Sequence, residues 1–198
     1  MSNLFSGKLI VIVGPSGVGK GTAINFLKKW HPEWVFPVSA TTRSPRPGEI
    51  DGETYHFFSR EQFQKMIAAG DFVEWARVHG DHFYGTLKSE IFPALKKGKI
   101  VLREVDFQGL LSIQKIVPKK NLITVFLLPP PREVLIKRIR ARAPISDAEL
   151  SERLKSLEKE LPAAKKCDFQ IQTRDGDAAF PAREIEKIEK NCSGVAKR

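Results

Sequence analysis

Cysteine is scarce: Cys167 and Cys192 are the only two, and neither belongs to a C-x-x-C pair. That excludes a disulfide-stapled scaffold and a dithiol redox motif, and it fits a reduced, cytoplasmic setting with two ordinary thiols. Long apolar runs are missing too. No stretch approaches the roughly 20 residues that cross a bilayer, and Met1 to Gly7 lacks the basic and apolar regions of a secretory leader. Of the four histidines, His79 and His82 are close, yet no cysteine or further histidine stands near them at ligand spacing, which argues against a zinc centre. Internal repeats are absent, and low complexity is confined to Pro129-Pro130-Pro131.

Charge is abundant but not concentrated. The net charge is +10, of which residues 1–131 carry +6 and residues 132–198 carry +4. The surplus therefore forms no basic arm, and no basic tract is interleaved with aromatics in the manner of single-strand binders, which argues against nucleic acid. A small polyanionic substrate would use the same field for steering. With 198 residues, 41% hydrophobic and 28% charged, the chain reads as one globular domain with a real core.

Lys8 to Val13 is a short β-branched run ending in glycine, as a buried parallel strand should be. Thr22 to Trp30 reads as a helix that stops before Pro32. Ile100 to Val105 and Leu122 to Leu128 repeat the strand signature. Helices are expected over Glu133 to Ala143 and over Asp147 to Lys165, the latter capped by Ser146 or Asp147. Phe169 to Ile171 is a short strand, and Asp177 could cap a last helix reaching Asn191. Alternation of this kind predicts a doubly wound α/β core. The stretch from Val38 to Leu87 breaks it. Rich in Thr, Tyr, Phe, Gly and Pro, with one helix at Arg60 to Ala69, it reads as an inserted, partly β lobe.

Gly14-Pro15-Ser16-Gly17-Val18-Gly19-Lys20-Gly21-Thr22 follows the first strand and opens the first helix. In that context G-x-x-x-x-G-K is a phosphate-binding loop: glycines turn backbone N–H groups inward, the helix terminus adds partial positive charge, and Lys20 adds a full one. Gly21 stands where many P-loop proteins place a Ser or Thr on Mg²⁺. The G-K-G-T ending is similar to that of nucleoside monophosphate kinases, in which phosphates and waters can hold the metal.

Farther along, Arg43 and Arg46 stand three residues apart, stiffened by Pro45 and Pro47 in a non-helical segment. They make a preset fork for an anion, since guanidinium pairs phosphate oxygens bidentately and a tyrosine hydroxyl can add a neutral bond. The segments Ser39 to Glu49, Asp51 to Phe57, Phe72 to Ala76, Tyr84-Gly85-Thr86 and Asp106 to Gly109, together with the loop, resemble the guanylate kinase family from about residue 8 to 190.

The resemblance implies an α/β fold: a three-layer P-loop core with a parallel sheet (8–37, 90–137, 154–191), an inserted mixed-β GMP-binding lobe (38–89) and a helical lid (138–153). It implies transfer of the γ-phosphoryl group of ATP to GMP in purine nucleotide metabolism, with Mg²⁺ as cofactor and dGMP as a further acceptor. Gly14 to Thr22 and Arg138 would bind ATP. Ser39, Glu74, Thr86 and Asp106 would face the base, and Arg43, Arg46, Tyr55 and Tyr84 the acceptor phosphate. Lys20, Arg43, Arg142 and Arg153 would serve catalysis, the last two from the lid. Arg140 reads as part of a solvated basic face. Glu104 could orient Mg²⁺-bound water or Lys20, or be a structural carboxylate.

Residue chemistry agrees with the base assignment. Guanine presents adjacent N1–H and N2–H₂ donors that match two carboxylate oxygens, whereas adenine offers a lone pair at N1. An unpaired buried polar group lets such a site reject an analogue by on the order of 10⁴, and Glu74 is the better candidate for that role. The chain departs from the family at Ala143-Pro144, where Gly is usual, at Thr173 near the expected adenine contact, and at His82-Phe83 before Tyr84. Two rivals follow: a kinase for another small acceptor, against which Glu74 and Thr86 argue, and a non-catalytic protein-binding module, against which the intact loop argues.

Overall fold

The computed structural model describes residues 4–78, 81–142 and 145–194; His79 and Ala143-Pro144 lie outside them. In chain order the elements are β1 (Lys8–Val13), α1 (Lys20–Trp30), β2 (Ser39–Thr41), β3 (Tyr55–Phe57), α2 (Arg60–Ala69), β4 (Phe72–Val78), β5 (His82–Leu87), α3 (Lys88–Lys96), β6 (Ile100–Glu104), α4 (Phe107–Ile116), β7 (Leu122–Leu128), α5 (Arg132–Arg142), α6 (Asp147–Glu160), β8 (Phe169–Gln172) and α7 (Phe180–Gly194). One four-stranded sheet has the order β6-β1-β7-β8, with β7 and β8 parallel. A second has the order β3-β2-β5-β4 and is mixed: β2 pairs β3 in parallel and β5 in antiparallel fashion. The α/β class is as expected. No helix among the described residues is long and apolar enough to cross a membrane.

The described residues fall into two compact units. The first draws on Met1–Leu9, Glu33–Arg103 and Gln108–Leu122, the second on Ile10–Pro32, Glu104–Phe107 and Ile123–Arg198. In the second, Ile10 to Val13, Val125 to Leu127, Ala23, Leu27, Leu135, Ile139, Ala182 and Ile185 are buried together with the helix pair α1 and α7. In the first, Ala40, Phe63, Phe72, Phe83 and Leu87 form a core in which α2 backs the mixed sheet, with Phe63 stacked on Phe72 and Phe83. Burying a large apolar side chain of this kind stabilises by about 1.5–3 kcal/mol, so the back of this sheet is fixed and its other face is left for chemistry.

Local signals explain the boundaries. Ser59 and Gln62 form a reciprocal capping box that starts α2, and Gly70 ends it in the left-handed conformation. Between the two candidates for the α6 cap, Ser146 is the residue used, paired with Glu149. The expected helix to Lys165 breaks at Glu160 and continues as a 3₁₀ turn, Leu161–Lys166. Pro162 is the reason, because its missing N–H leaves a bond out of the α ladder and its ring crowds the carbonyl four residues earlier. Helices α3 and α4 escape periodicity. The first holds Pro93 within it and no side chain caps it, while the second follows β6 after only Val105 and Asp106.

Candidate active site

The second unit carries the loop. β1 ends at Val13, and the chain turns through Gly17 (φ 84°) and Gly19 (φ 101°), conformations that side-chain-bearing residues avoid. Gly19 is the N-cap of α1 and supplies no side-chain acceptor, so no cap side chain takes up the first helical N–H groups. A Cβ at Gly19 or Gly21 would meet no atom within 4 Å, leaving room for a ligand to approach the backbone. Lys20 Nζ donates to the carbonyls of Gly14 (2.5 Å) and Pro15 (3.1 Å), which draws the ammonium back over the loop. Above it lies a cavity of about 1090 Å³ whose lining includes Ser16 to Thr22, Glu104, Asp106, Arg138, Glu160 and the segment after β8. That is ample for a drug-sized or nucleotide ligand.

Arg138 Nη2 donates to the Arg174 carbonyl (2.8 Å) and to Asp175 Oδ1 (3.3 Å), which docks α5 on that segment. Arg174 stacks 3.9 Å over the Phe180 ring. Thr173 is buried, and its hydroxyl donates to the Leu128 carbonyl (2.9 Å). Glu160 was not singled out by sequence. It is half-buried in the cavity wall, and burial pushes its carboxyl up, with Lys20 drawing it down and Asp106 adding a smaller upward push. Arg140 is exposed and pairs with Asp147 (2.7 Å), as a solvated face requires. Arg153 is exposed on α6. Arg142 ends α5, and its side chain lies outside the described residues. Asp106 and Glu104 are exposed at the cavity, within the second unit. Among the described residues no three His, Cys, Asp or Glu side chains group to hold a metal ion.

The first unit carries a polar strand face. Strand register pairs Ser39 with Tyr55, Ser39 with Thr86, and Thr86 with Glu74. Tyr55, Ser39, Thr86 and Glu74 thus form one transverse row over all four strands. Directly paired residues project to the same face, and residues two apart on a strand share it, so Tyr84 joins them. Ala40, Gly85, Phe83 and Leu87 occupy the alternate positions and face α2. A register shift between Phe72 and Glu74 brings Glu74 into the row. Glu74 is 9% exposed, and its Oε1 accepts a 2.5 Å bond from the Thr86 hydroxyl. Glycine is needed at the next position, opposite Trp75: a Cβ at Gly85 would stand 2.8 Å from the Glu74 carbonyl oxygen and 2.8 Å from Phe72 Cδ1. Gly85→Ala is expected to push β4 outward and lower stability by about 1–3 kcal/mol, which denaturant unfolding checks.

Arg43 is held in place by three bonds: Nε to Tyr84 Oη (3.3 Å), Nη1 to the Ser44 carbonyl (2.6 Å) and Nη2 to Glu49 Oε1 (2.8 Å). Its guanidinium also lies 5.5 Å from the Tyr55 ring centre. The hydrogen bonds it donates to Glu49 and then to Tyr84 raise its pKa further. Glu49 Oε2 accepts the Arg46 backbone N–H (2.7 Å), so a single carboxylate braces both arms of the fork, while the Arg46 side chain is exposed. Sequence reading missed this role of Glu49, although its spacing from Arg46 is that of a turn.

The Arg43 hydrogen bond, with a lesser one from Arg46, holds the Glu49 carboxyl below the usual glutamate range. A lowered folded pKa means the brace is intact above the ordinary value of about 4.3 and is lost as pH falls through the lowered value. Glu49→Gln should therefore raise the acceptor KM several-fold at neutral pH with a smaller change in kcat. The wild-type protein should show that rise only in acid, below the ordinary glutamate range, as initial-rate profiles would reveal.

Arg103 is a third residue whose part sequence reading passed over. It lies on β6 in the first unit, and Nη2 donates to Ser39 Oγ (2.8 Å) and stands 3.9 Å from Glu74 Oε1.

The family model described as guanylate kinase matches residues 6–185. A guanylate kinase of Trichormus variabilis is 43% identical over 183 residues, covering 92% of this chain and 90% of that protein. One from Tropheryma whipplei is 43% identical over 171 residues, covering 86% and 88%. Among solved structures, guanylate kinase from Anaplasma phagocytophilum superposes with a TM-score of 0.72 at 26% identity, covering 96% of this chain and 88% of that one.

Proposed function

Because the chain belongs to the guanylate kinase family and is an ATP:GMP phosphotransferase, we propose a division of its residues between donor and acceptor. Gly14, Pro15, Ser16, Gly17, Val18, Gly19, Lys20, Gly21, Thr22 and Arg138 bind ATP. Ser39, Glu74 and Thr86 face guanine, and Arg43, Arg46, Tyr55 and Tyr84 hold the GMP phosphate. Asp106 keeps the base-facing role that the resemblance implies. Arg142 and Arg153 neutralise charge in transit from a lid at 138–153, with the GMP lobe at 38–89 and the core at 8–37, 90–137 and 154–191. The observation that carries the acceptor assignment is the cross-strand row, which gathers Tyr55, Ser39, Thr86 and Glu74 from four strands onto one face.

The reaction needs no general base, because the GMP phosphate oxygen is already anionic. That oxygen attacks the γ-phosphorus, the bond to the ADP oxygen breaks, and ADP leaves with its electron pair. Positioning and electrostatics do the rest. Lys20 and the loop N–H groups stabilise charge on the donor phosphates, while the braced Arg43 fixes the attacking group. The hard carboxylate oxygen of Glu104 at the cavity suits Mg²⁺, which keeps several waters and takes its other ligands from phosphates. Glu104 would hold that hydration shell, and the ion when bound supplies charge neutralisation. We place the enzyme in the cytoplasm and include dGMP among its acceptors, since no residue is assigned to the 2′-hydroxyl.

A coupled assay of ADP formation with ATP, Mg²⁺ and each of GMP, dGMP, AMP, CMP and UMP tests the assignment. GMP and dGMP should turn over, and AMP should be slower by several orders of magnitude. Equal turnover of AMP would contradict it.

A further inference from the structure

We propose that Arg103 is a specificity-positioning residue that locks the Ser39 hydroxyl as a hydrogen-bond donor toward the 6-position of the purine. The inference rests on the reading of Ser39 and Glu74 as base-facing residues. Arg103 Nη2 lies 2.8 Å from Ser39 Oγ, and Nη1 donates to the Pro37 carbonyl (3.3 Å), which fixes the plane of the guanidinium. A guanidinium has donors only and stays protonated at any working pH. Facing it, the Ser39 oxygen can only accept. The hydroxyl hydrogen must then point away from Arg103, so the serine offers a donor to a ligand.

The same nitrogen is 3.9 Å from Glu74 Oε1, which also accepts from Thr86. At 3.9 Å Arg103 adds only a more distant charge to a carboxylate that Thr86 already bonds. The guanidinium edge thus fixes a donor at Ser39, beside a Glu74 that accepts as any carboxylate does. Guanine is the complement of that order, with O6 accepting beside N1–H and N2–H₂ donating. Adenine reverses it at both positions, with an amine at C6 and a lone pair at N1. Arg103 therefore writes half of the base code without being one of the residues assigned to the base.

The test compares specificity constants for GMP, 6-thio-GMP and IMP in the wild-type enzyme, Arg103→Met, Arg103→Lys and Glu74→Gln. Sulfur at position 6 is a weak acceptor, so the GMP to 6-thio-GMP ratio reports the Ser39 contact. IMP lacks the 2-amino group, so the GMP to IMP ratio reports Glu74. Each ratio is taken within one preparation, so a reduced folded fraction cancels. Arg103→Met should lower the first ratio about tenfold and leave the second within twofold. Arg103→Lys, which also only donates, should recover part of the loss. An unchanged first ratio in Arg103→Met, or an equal fall in both ratios, would overturn the proposal. Glu74→Gln tests the underlying reading separately: it should collapse the GMP to IMP ratio, and if it does not, the base-facing assignment fails whatever Arg103 does.

Discussion

Replacing Lys20 with alanine is expected to cut kcat by about 10²–10³ or more, with the unfolding transition nearly unmoved. Lys20 opens α1 at the mouth of the loop, where its ammonium is held by the Gly14 and Pro15 carbonyls. As phosphoryl transfer proceeds, negative charge grows on the bridging and leaving oxygens, and a fixed cation stabilises that change more than it stabilises the ground state. Removing it takes away a term realised mainly in the transition state, so kcat falls along with kcat/KM. Stability changes little, because Gly14 and Lys20 line a cavity that water can enter, and water can replace the lysine as a donor there. Coupled ADP detection and thermal unfolding on the same preparation check both halves. Retained turnover would contradict the loop assignment.

Glu74→Gln is expected to lower kcat/KM for GMP by about 10² or more and to narrow the preference over AMP. The carboxylate is 9% exposed and already accepts from Thr86. Charge-assisted bonds to guanine contribute about 1.5–3 kcal/mol each, and glutamine replaces one accepting oxygen with an NH₂ that meets another donor. Adenine's N1 lone pair can accept from that NH₂, which is why AMP should gain relative to GMP. The substitution is isosteric and keeps an oxygen for Thr86, so folding survives. Initial rates with both acceptors measure the outcome, and an unchanged GMP to AMP ratio would remove Glu74 from the base.

The Gly14–Thr22 loop was legible in sequence because its signal is contiguous: a strand end, glycines that tolerate unusual φ, and a helix start. The strand elements Lys8–Val13 and Leu122–Leu128 were legible for a related reason, as their buried β-branched runs carry the signal locally. The cross-strand row of Tyr55, Ser39, Thr86 and Glu74 was legible only through a family pattern, since its members come from four strands and their meeting is a matter of register. A shift of one residue in β4 would send Glu74 to the face that packs on α2. Arg103 was invisible for the same reason. Nothing near it in the chain shows that β6 brings it to Ser39 and Glu74, and an arginine in an apolar strand reads as an isolated oddity. Glu49 lay within the quoted motif, but its bracing role appears only when the turn folds Arg46's N–H and Arg43's guanidinium onto one carboxylate. The break in α6 was written plainly at Pro162 and was overridden by the helical pattern on either side.

Backbone hydrogen exchange with and without saturating GMP tests the central claim most directly, namely that the polar strand face and its arginine turn receive the acceptor. The account predicts GMP-dependent protection in peptides spanning residues 39–57 and 72–87. Protection confined to the loop at residues 14–22, with none across the strand face, would contradict it.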